Sequence, residues 1–536
     1  MTDDRTRTRR VSHPPPSDHR ERIAVAALAL FTTQGFHGTN TREIANLAGV
    51  SSAAIYTFYA SKEAIFGDLA QQYRARLDDF FDTTVSRLKD PLSKRDLRAF
   101  ASAIWAKMRD EPEILLLVLI DVIEFRFQHF QGAFDSLPAR MRAIVGAALT
   151  AATRQPGWRG HDPAFVLAAV YHYFFHFALI EKHMRGNQHL GVSNELAIKR
   201  FVDLLFGGLW SRLPGIDGAA PQQTGETRAQ LRMRDAAARD RIEFIRLLCG
   251  RLWHAPPDMS ATSGRNGKGI GRGSIKVPML FLPQIARDRP DDNQLAIEAA
   301  ALELFTTQGF HGTNIRDIAD KAGVSQGAIY TYYPKKEKIF ESLVRNYQAC
   351  MLAFTRQVIT LLEDPFSRSD LRLLATAVRS IVYDESAFLL LMFIDVIEFK
   401  NRHFAALFHD IPAQFRYLLG PVLNQAKRRP GWCGQDPAFV LATIYLFFYN
   451  YFVIERHMLG NQHLGPPEQE AIERLIDILS SGLWAMTPRP HSRAYSLQRR
   501  KIADSTVTCM TGGWGREGRR RRRARPKNQM LMFMSD

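Results

Sequence analysis

Two carboxylates three residues apart on an apolar helix are the first candidates for chemistry in this chain. LLLVLIDVIEF at Leu115–Phe125 puts Asp121 and Glu124 on one face, and LLLMFIDVIEF at Leu389–Phe399 repeats them as Asp395 and Glu398. Such a pair could do general acid–base work, sense a ligand, or sit satisfied by arginine or backbone amides at a helix interface. His172 and His176 lie four apart, a metal-ligand spacing, within YHYFFHF. The matching later segment, YLFFYNYF, has Leu446 and Asn450 at those positions, which argues against a metal. Aromatics around a whole helix fit either tight packing or a cavity for a flat apolar ligand. On the second reading the candidate ligand contacts are Asp121, Phe125, His172 and Phe175, with Asp395, Phe399, Phe448 and Tyr449. IEKHMRGNQHLG at Ile180–Gly191 returns as IERHMLGNQHLG at Ile454–Gly465, and a structured turn with hydrogen-bonded histidines is expected there. No nucleophile elbow, P-loop, dinucleotide fingerprint or zinc pattern occurs, so no catalytic residue, cofactor or metal is assigned and no enzyme is expected.

These pairs recur because the chain is duplicated. FTTQGFHGTN stands at Phe31–Asn40 and again at Phe305–Asn314, and the same register holds without a gap from Glu21–Trp210 to Leu295–Trp484. About half of the paired positions are identical, and the period is far too long for a solenoid. Each copy has the length of a self-sufficient domain. Of the formal net charge of +17, +10 falls in residues 486–536. Both repeats are nearly neutral, so the excess sits in the tails and connector. Basic flanks could add non-specific phosphate affinity or simply be solvated. Four scattered cysteines exclude a disulfide framework and fit a reducing compartment. Residues 1–20 lack an apolar signal core, and Ile114–Ile123 and Tyr171–Ile180 read as too short or too interrupted to span a bilayer, so no membrane role is expected.

The elements that position these residues read as helices throughout. In copy one they are expected at Arg20–Thr33, as two short helices, at Lys62–Leu88, Ser93–Met108 and Pro112–Phe130, between Pro138 and Pro156, from Asp162-Pro163 to about Arg185, and at Ser193–Trp210. Copy two repeats the punctuation with Asp364-Pro365, Pro412, Pro430 and Asp436-Pro437. The connector, residues 214–290, is rich in Gly, Pro, Ser and Arg at both ends. An amphipathic helix is expected inside it, with Ile242, Ile245, Leu248 and Leu252 on one face. The last fifty residues are expected to be disordered.

TNTREIANLAGVSSAAIYTFYASKE at residues 39–63 carries the function. Asn40 with Glu43 is a capping-box arrangement, Ile44 and Ala48 are core positions, Gly49 supplies a left-handed turn and Ser51 caps a second helix. Two short helices joined by a glycine turn are the sequence form of a helix-turn-helix, whose second helix is sized for a major groove.

The segment closely resembles the TetR/AcrR family of transcriptional regulators, on Phe31, Gly35-Phe36, Thr39, Ile44-Ala45, Ala48–Ser51, Ile55-Tyr56, Phe58-Tyr59 and Lys62-Glu63. Copy two carries the same pattern on Phe305, Gly309-Phe310, Thr313, Ile318-Ala319, Ala322–Ser325, Ile329-Tyr330, Tyr332-Tyr333 and Lys336-Glu337. It departs at Pro334-Lys335, where copy one has a serine cap, Ser61. The resemblance implies phosphate contacts from Thr39, Tyr56 and Lys62, and from Thr313, Tyr330 and Lys336, beside the caps Asn40 and Asn314. It places Ser52, Ala53 and Thr57, with Gln326, Gly327 and Thr331, on the groove-facing side of the recognition helices. Gln326 could pair with an adenine edge.

The expected fold is all-α: two tandem TetR-like domains, each a helix-turn-helix head on a helical effector and dimerisation bundle. The boundaries are residues 1–17, a basic arm; 18–65, the first head; 66–213, its effector domain; 214–290, the linker; 291–339, the second head; 340–485, its effector domain; and 486–536, a basic tail. The expected function is a ligand-responsive repressor, cytoplasmic on the bacterial nucleoid, reading a pseudo-palindromic operator in double-stranded DNA. Its effector would be small and apolar or aromatic. The repeats would pair within one chain or between chains as a homodimer. A connector of 77 residues has a reach of roughly 45–55 Å, enough to join heads about 34–36 Å apart. The rival reading is a helical ligand- or partner-binding protein with one or both heads degenerate.

Overall fold

Lone serines and two Asp-Pro pairs are where this chain starts its helices, and their oxygens accept from the exposed first-turn amides as helix caps should. In the computed structural model Ser51 takes Ala54 N–H, Ser61 takes Ala64, Ser93 takes Asp96 and Asp162 takes Ala164. The structure describes residues 19–185, 189–209, 241, 292–408, 411–429, 432–458 and 463–482. The basic arm, the tail and the connector other than Arg241 lie outside them.

Every regular element of the described residues is helical. Copy one comprises α1 (His19–Gln34), α2 (Thr41–Ala48), α3 (Ser52–Phe58), α4 (Lys62–Ser86), α5 (Lys94–Asp110), α6 (Glu113–Phe125), α7 (Gln131–Phe134), α8 (Leu137–Thr153), α9 (Pro163–Leu179) with a π-helical extension to Arg185, and α10 (Asn194–Leu209). Copy two comprises α11 (Asp292–Gly312), α12 (Ile315–Ala322), α13 (Gln326–Tyr332), α14 (Lys336–Thr360), α15 (Arg368–Asp384), α16 (Ser386–Glu398), a 3₁₀ turn, α17 (Ile411–Lys427), α18 (Pro437–His457) and α19 (Glu468–Gly482).

One expected boundary is corrected. The helix read as Pro112–Phe130 ends at Phe125, because Asp121 folds the chain back on itself. Its carboxylate accepts from His129 N–H, Phe130 N–H and the His129 ring, while its carbonyl takes Phe127 N–H. Arg126 and Phe127 adopt left-handed backbone to complete the reversal.

The two most apolar helical stretches have the expected extent. Pro163–Met184 and Pro437–His457 are long and apolar enough to cross a bilayer, yet 94% of the 18-residue apolar window in each is buried inside the protein. They are the core of the molecule, α9 beside α18. The copies meet here and along α10 and α19. Tyr173 stacks on Phe201 of its own copy and Phe447 of the other, and the Arg200 guanidinium lies over Phe439. Where α10 crosses α19 the backbones touch. A side chain on Gly208 would land on the carbonyl of Ile478, and one on Gly482 on that of Leu204.

Each head is tied to its body by aromatics. Phe125 of α6 stacks on Phe66 of α4 and meets Phe36, which follows α1, edge-on at 4.7 Å. Phe399, Phe340 and Phe310 do the same in copy two. A seven-residue helix such as α3 is unstable alone, so this packing, with Ile55 fully buried beneath it, holds it in place.

Candidate nucleic-acid interface

The α2–turn–α3 unit is built by local rules that the sequence spells out. Asn40 accepts from Glu43 N–H and Glu43 accepts from Asn40 N–H, closing both sides of the box. Ile44, Ala45 and Ala48 face the core, and Gly49 turns the chain at φ 65°. In copy two Asn314 caps Asp317, Gly323 turns at φ 69°, and Ser325 caps α13. Lys335 starts α14 without a side-chain cap, as its departure from the copy-one serine led one to expect.

Ser52, Ala53, Tyr56 and Thr57 are all exposed on α3, as are Gln326, Gly327, Tyr330 and Thr331 on α13. Tyr56 is 57% exposed and Tyr330 54%, uncommon for a residue of that size in a packed head. Each recognition helix thus presents an uncharged, solvent-exposed face with one phenol, Tyr56 or Tyr330, at its centre. Neither helix carries a charge. The charges around them differ, since α2 has Arg42 and Glu43, whereas α12 has Arg316, Asp317, Asp320 and Lys321.

Two expected phosphate contacts are turned inward. Thr39 is 1% exposed and its hydroxyl donates to Gly35 O at 2.8 Å; Thr313 does the same to Gly309 O. The Lys62 ammonium donates to Phe36 O at 2.8 Å and Thr39 O at 2.6 Å and lies 4.2 Å from the Phe36 ring centroid. Lys336 holds Phe310 O and Thr313 O, again over the phenyl ring. Burial lowers both lysines from their ordinary value, with neighbouring glutamates opposing. Thr39 and Lys62 brace the α1–α2 turn, and Thr313 and Lys336 brace the α11–α12 turn. Of the expected DNA contacts, those on the exposed faces of α3 and α13 and the caps Asn40 and Asn314 are open to solvent.

The carboxylates of the DVIEF motif divide their labour. Asp121 and Asp395 lock the reversals after α6 and α16, each taking two backbone amides and one histidine ring. Glu124, by contrast, reaches across to the head, accepting Phe36 N–H at 2.9 Å, His37 N–H at 2.7 Å and the His37 ring nitrogen at 2.5 Å. Glu398 grips Phe310 and His311 in the same way, and burial raises its pKa against these bonds. Sequence reasoning missed this strut. Its signal was the verbatim survival of both GFHG and DVIEF in the two copies.

The remaining candidate ligand residues do not share one environment. Phe125 and Phe399 belong to the head–body junction. Phe175 packs edge-on against Phe134, Phe448 is fully buried, and Tyr449 stacks near Tyr445. His172 meets His463 of the other copy, its ring nearly perpendicular at 4.5 Å. His172, Asn450 and His463 line a cavity of water size between the copies. Burial drives His172 well below its ordinary pKa and His176 to about 3. His189 and His463 take up Glu181 and Glu455, giving the hydrogen-bonded turn that the sequence implied.

Comparison with known proteins agrees with this geometry. The family model described as bacterial regulatory proteins, tetR family, matches residues 23–69 and 297–343, the two heads. The HTH-type transcriptional repressor KstR2 of Mycobacterium tuberculosis is 31% identical over 68 residues, 13% of this chain and 34% of that protein. The HTH-type transcriptional regulator RutR of Escherichia coli K12 is 41% identical over 58 residues, 11% of this chain and 27% of that protein. The chain thus spans about a third or less of the length of these curated relatives. A solved tetR family transcription regulator from Shewanella sp. PV-4 aligns over 36% of this chain and all of its own, at 18% identity and a TM-score of 0.26. The chain thus carries two tetR-family helix-turn-helix heads in one register and on one all-helical plan, consistent with a tandem duplication of a TetR-family regulator.

Proposed function

We propose that the chain is a DNA-binding transcriptional repressor that reads one pseudo-palindromic operator with two unequal heads. The observation that carries this is the pair of exposed, uncharged recognition faces, Ser52/Ala53/Tyr56/Thr57 and Gln326/Gly327/Tyr330/Thr331, on otherwise matching frameworks. Gln326 can accept and donate together at an adenine edge, whereas its counterpart Ser52 offers a single hydroxyl and Ala53, opposite Gly327, adds a methyl, so the half-sites differ. The crossing of α10 and α19 and the α9–α18 core support pairing within one chain. A small apolar or aromatic effector that displaced α6 or α16 would act on a head directly, because Glu124 joins α6 to the α1–α2 turn and Glu398 joins α16 to the α11–α12 turn. Such a ligand lowers operator affinity by favouring the displaced arrangement. Like other regulators of this kind, the protein would work in the cytoplasm, on the nucleoid.

Selection of bound fragments from random DNA, followed by gel-shift titration of Tyr56→Ala and Tyr330→Ala, tests the reading. Each substitution is expected to weaken binding and to relax a different half of the selected site. If neither variant weakens binding, these helices do not read DNA. A particle of twice the chain mass at working concentration would replace one-chain pairing with a dimer of chains.

A further inference from the structure

The α9–α18 core holds polar atoms that the protein itself does not pair. Among the described residues, His172 Nε2, His463 Nε2 and both amide atoms of Asn450 are buried and make no hydrogen bond. His172 is 4% exposed, Asn450 2% and His463 6%. They come from α9 of copy one, α18 of copy two and the turn after α18, yet they line one cavity, with Tyr173, Tyr451 and Leu464 completing its wall. Buried polar groups are costly unless satisfied, and four such atoms on one space call for an occupant.

The space sets the size of that occupant. About 10 Å³ is open to water-sized spheres, enough for one water and far too little for an organic effector. The lining sets its chemistry. Glu455 accepts from the His463 backbone N–H at 3.2 Å and faces the ring Nδ1 at 2.5 Å, so the ring proton stands on Nδ1 and a neutral ring offers Nε2 as an acceptor. Burial holds His172 far below its ordinary pKa, which leaves its ring uncharged at neutral pH. The Asn450 amide supplies an acceptor and donors. A guest here must both donate and accept.

The duplicated position does not repeat the site. It has Leu446 for His172, His176 for Asn450 and Phe177 for Tyr451. We propose that one buried water occupies the cavity, donating to His463 Nε2, accepting from the Asn450 amide and taking His172 Nε2 as its third partner, and that it joins copy one to copy two on one side of their interface only. A pair of copy-two repeats would set Leu446 against Asn450 and His463, so the bridge as built needs one repeat of each kind.

Magnetic relaxation dispersion of the water oxygen, measured on the full chain, counts long-lived internal waters. His172→Leu, which installs the copy-two residue, should lower that count by one. His172→Gln keeps polar atoms in that place and should leave it unchanged. Melting temperature separates a bridged cavity from a dry one by its sign. His172→Leu should lower it by about 2–4 °C, because Asn450 and His463 lose a bridging partner, whereas in a dry cavity it would rise as an unpaired group is removed. An electron-density map of the unaltered chain should show one peak within about 3.2 Å of His172 Nε2, Asn450 and His463 Nε2. An empty map, an unchanged water count in His172→Leu or a rise in its melting temperature each overturns the proposal. If His172→Leu fails to fold, the map decides alone.

Discussion

Removing the Glu124 carboxylate with Glu124→Ala strips acceptors from two backbone amides and one imidazole at once. Phe36 is buried, so its N–H loses its partner at about 1–3 kcal/mol. His37 is 41% exposed on its side chain, and water can reach its N–H and ring, which cuts their share to about 1 kcal/mol together. Together these give a cost of about 2–4 kcal/mol borne by the first head, an upper range because relief of a buried charge offsets part of it. Amides of α2 and α3 that open with that head should then exchange roughly 30- to 1,000-fold faster, at about 1.4 kcal/mol per tenfold. Glu124→Gln keeps one acceptor for Phe36 N–H but turns a donor toward His37, so about half the effect is expected. Hydrogen exchange on the full chain reads both variants, and the second head serves as an internal reference. Protection of Ile44 and Ile55 unchanged within twofold in Glu124→Ala would refute the strut and the mechanical route from α6 to the head.

Two further outcomes follow from the contacts between the repeats. Gly208→Leu drives a side chain into the Ile478 backbone and should separate α10 from α19, with a fall in melting temperature and new exposure of Tyr173 and Phe447; Gly146→Ala, where nothing lies within 4 Å, should stay within about 1 kcal/mol of the parent. Burial lowers the pKa of His176 to about 3 in the folded state, so the unfolded chain takes its proton first as pH falls below 6.5 and stability drops from there toward pH 3. The loss is about 2 kcal/mol at pH 5 from this residue alone. Urea melts at pH 7 and 5 should show it, and His176→Asn, which installs the copy-two residue, should flatten the dependence.

The heads were legible because their signals are local. Asn40 and Glu43 cap within three residues, Gly49 turns within one, and Ser51 caps the next helix. The divergence at Pro334-Lys335 was legible for the same reason. The inward turn of Thr39 and Lys62 was not, since the Lys62 acceptors lie 23 and 26 residues back in the chain. Glu124 was harder still. Its partners are 87 and 88 residues away, and helical spacing grouped it with Asp121, which serves a different loop. The end of α6 was misplaced because nothing between Phe125 and Phe130 breaks a helix; the break comes from a carboxylate one turn earlier. Tyr171–Ile180, too short by itself to span a bilayer, belongs to the long helix expected from Asp162-Pro163, and its burial identifies that helix as core.

The turn that follows α1 and the end of α11 face one another. A Cβ on Gly38 would stand 2.5 Å from that of His311, and one on Gly312 would stand 2.6 Å from that of His37. Around a pseudo-twofold axis each residue of such a patch sees its own duplicate, so a substitution in one copy alters only half of a self-complementary surface. A position away from that axis can drift freely from its twin, as Arg87 and Leu361 have. The ten residues FTTQGFHGTN run through the place where the molecule touches its own mirror in sequence, and there neither half can change its wording alone.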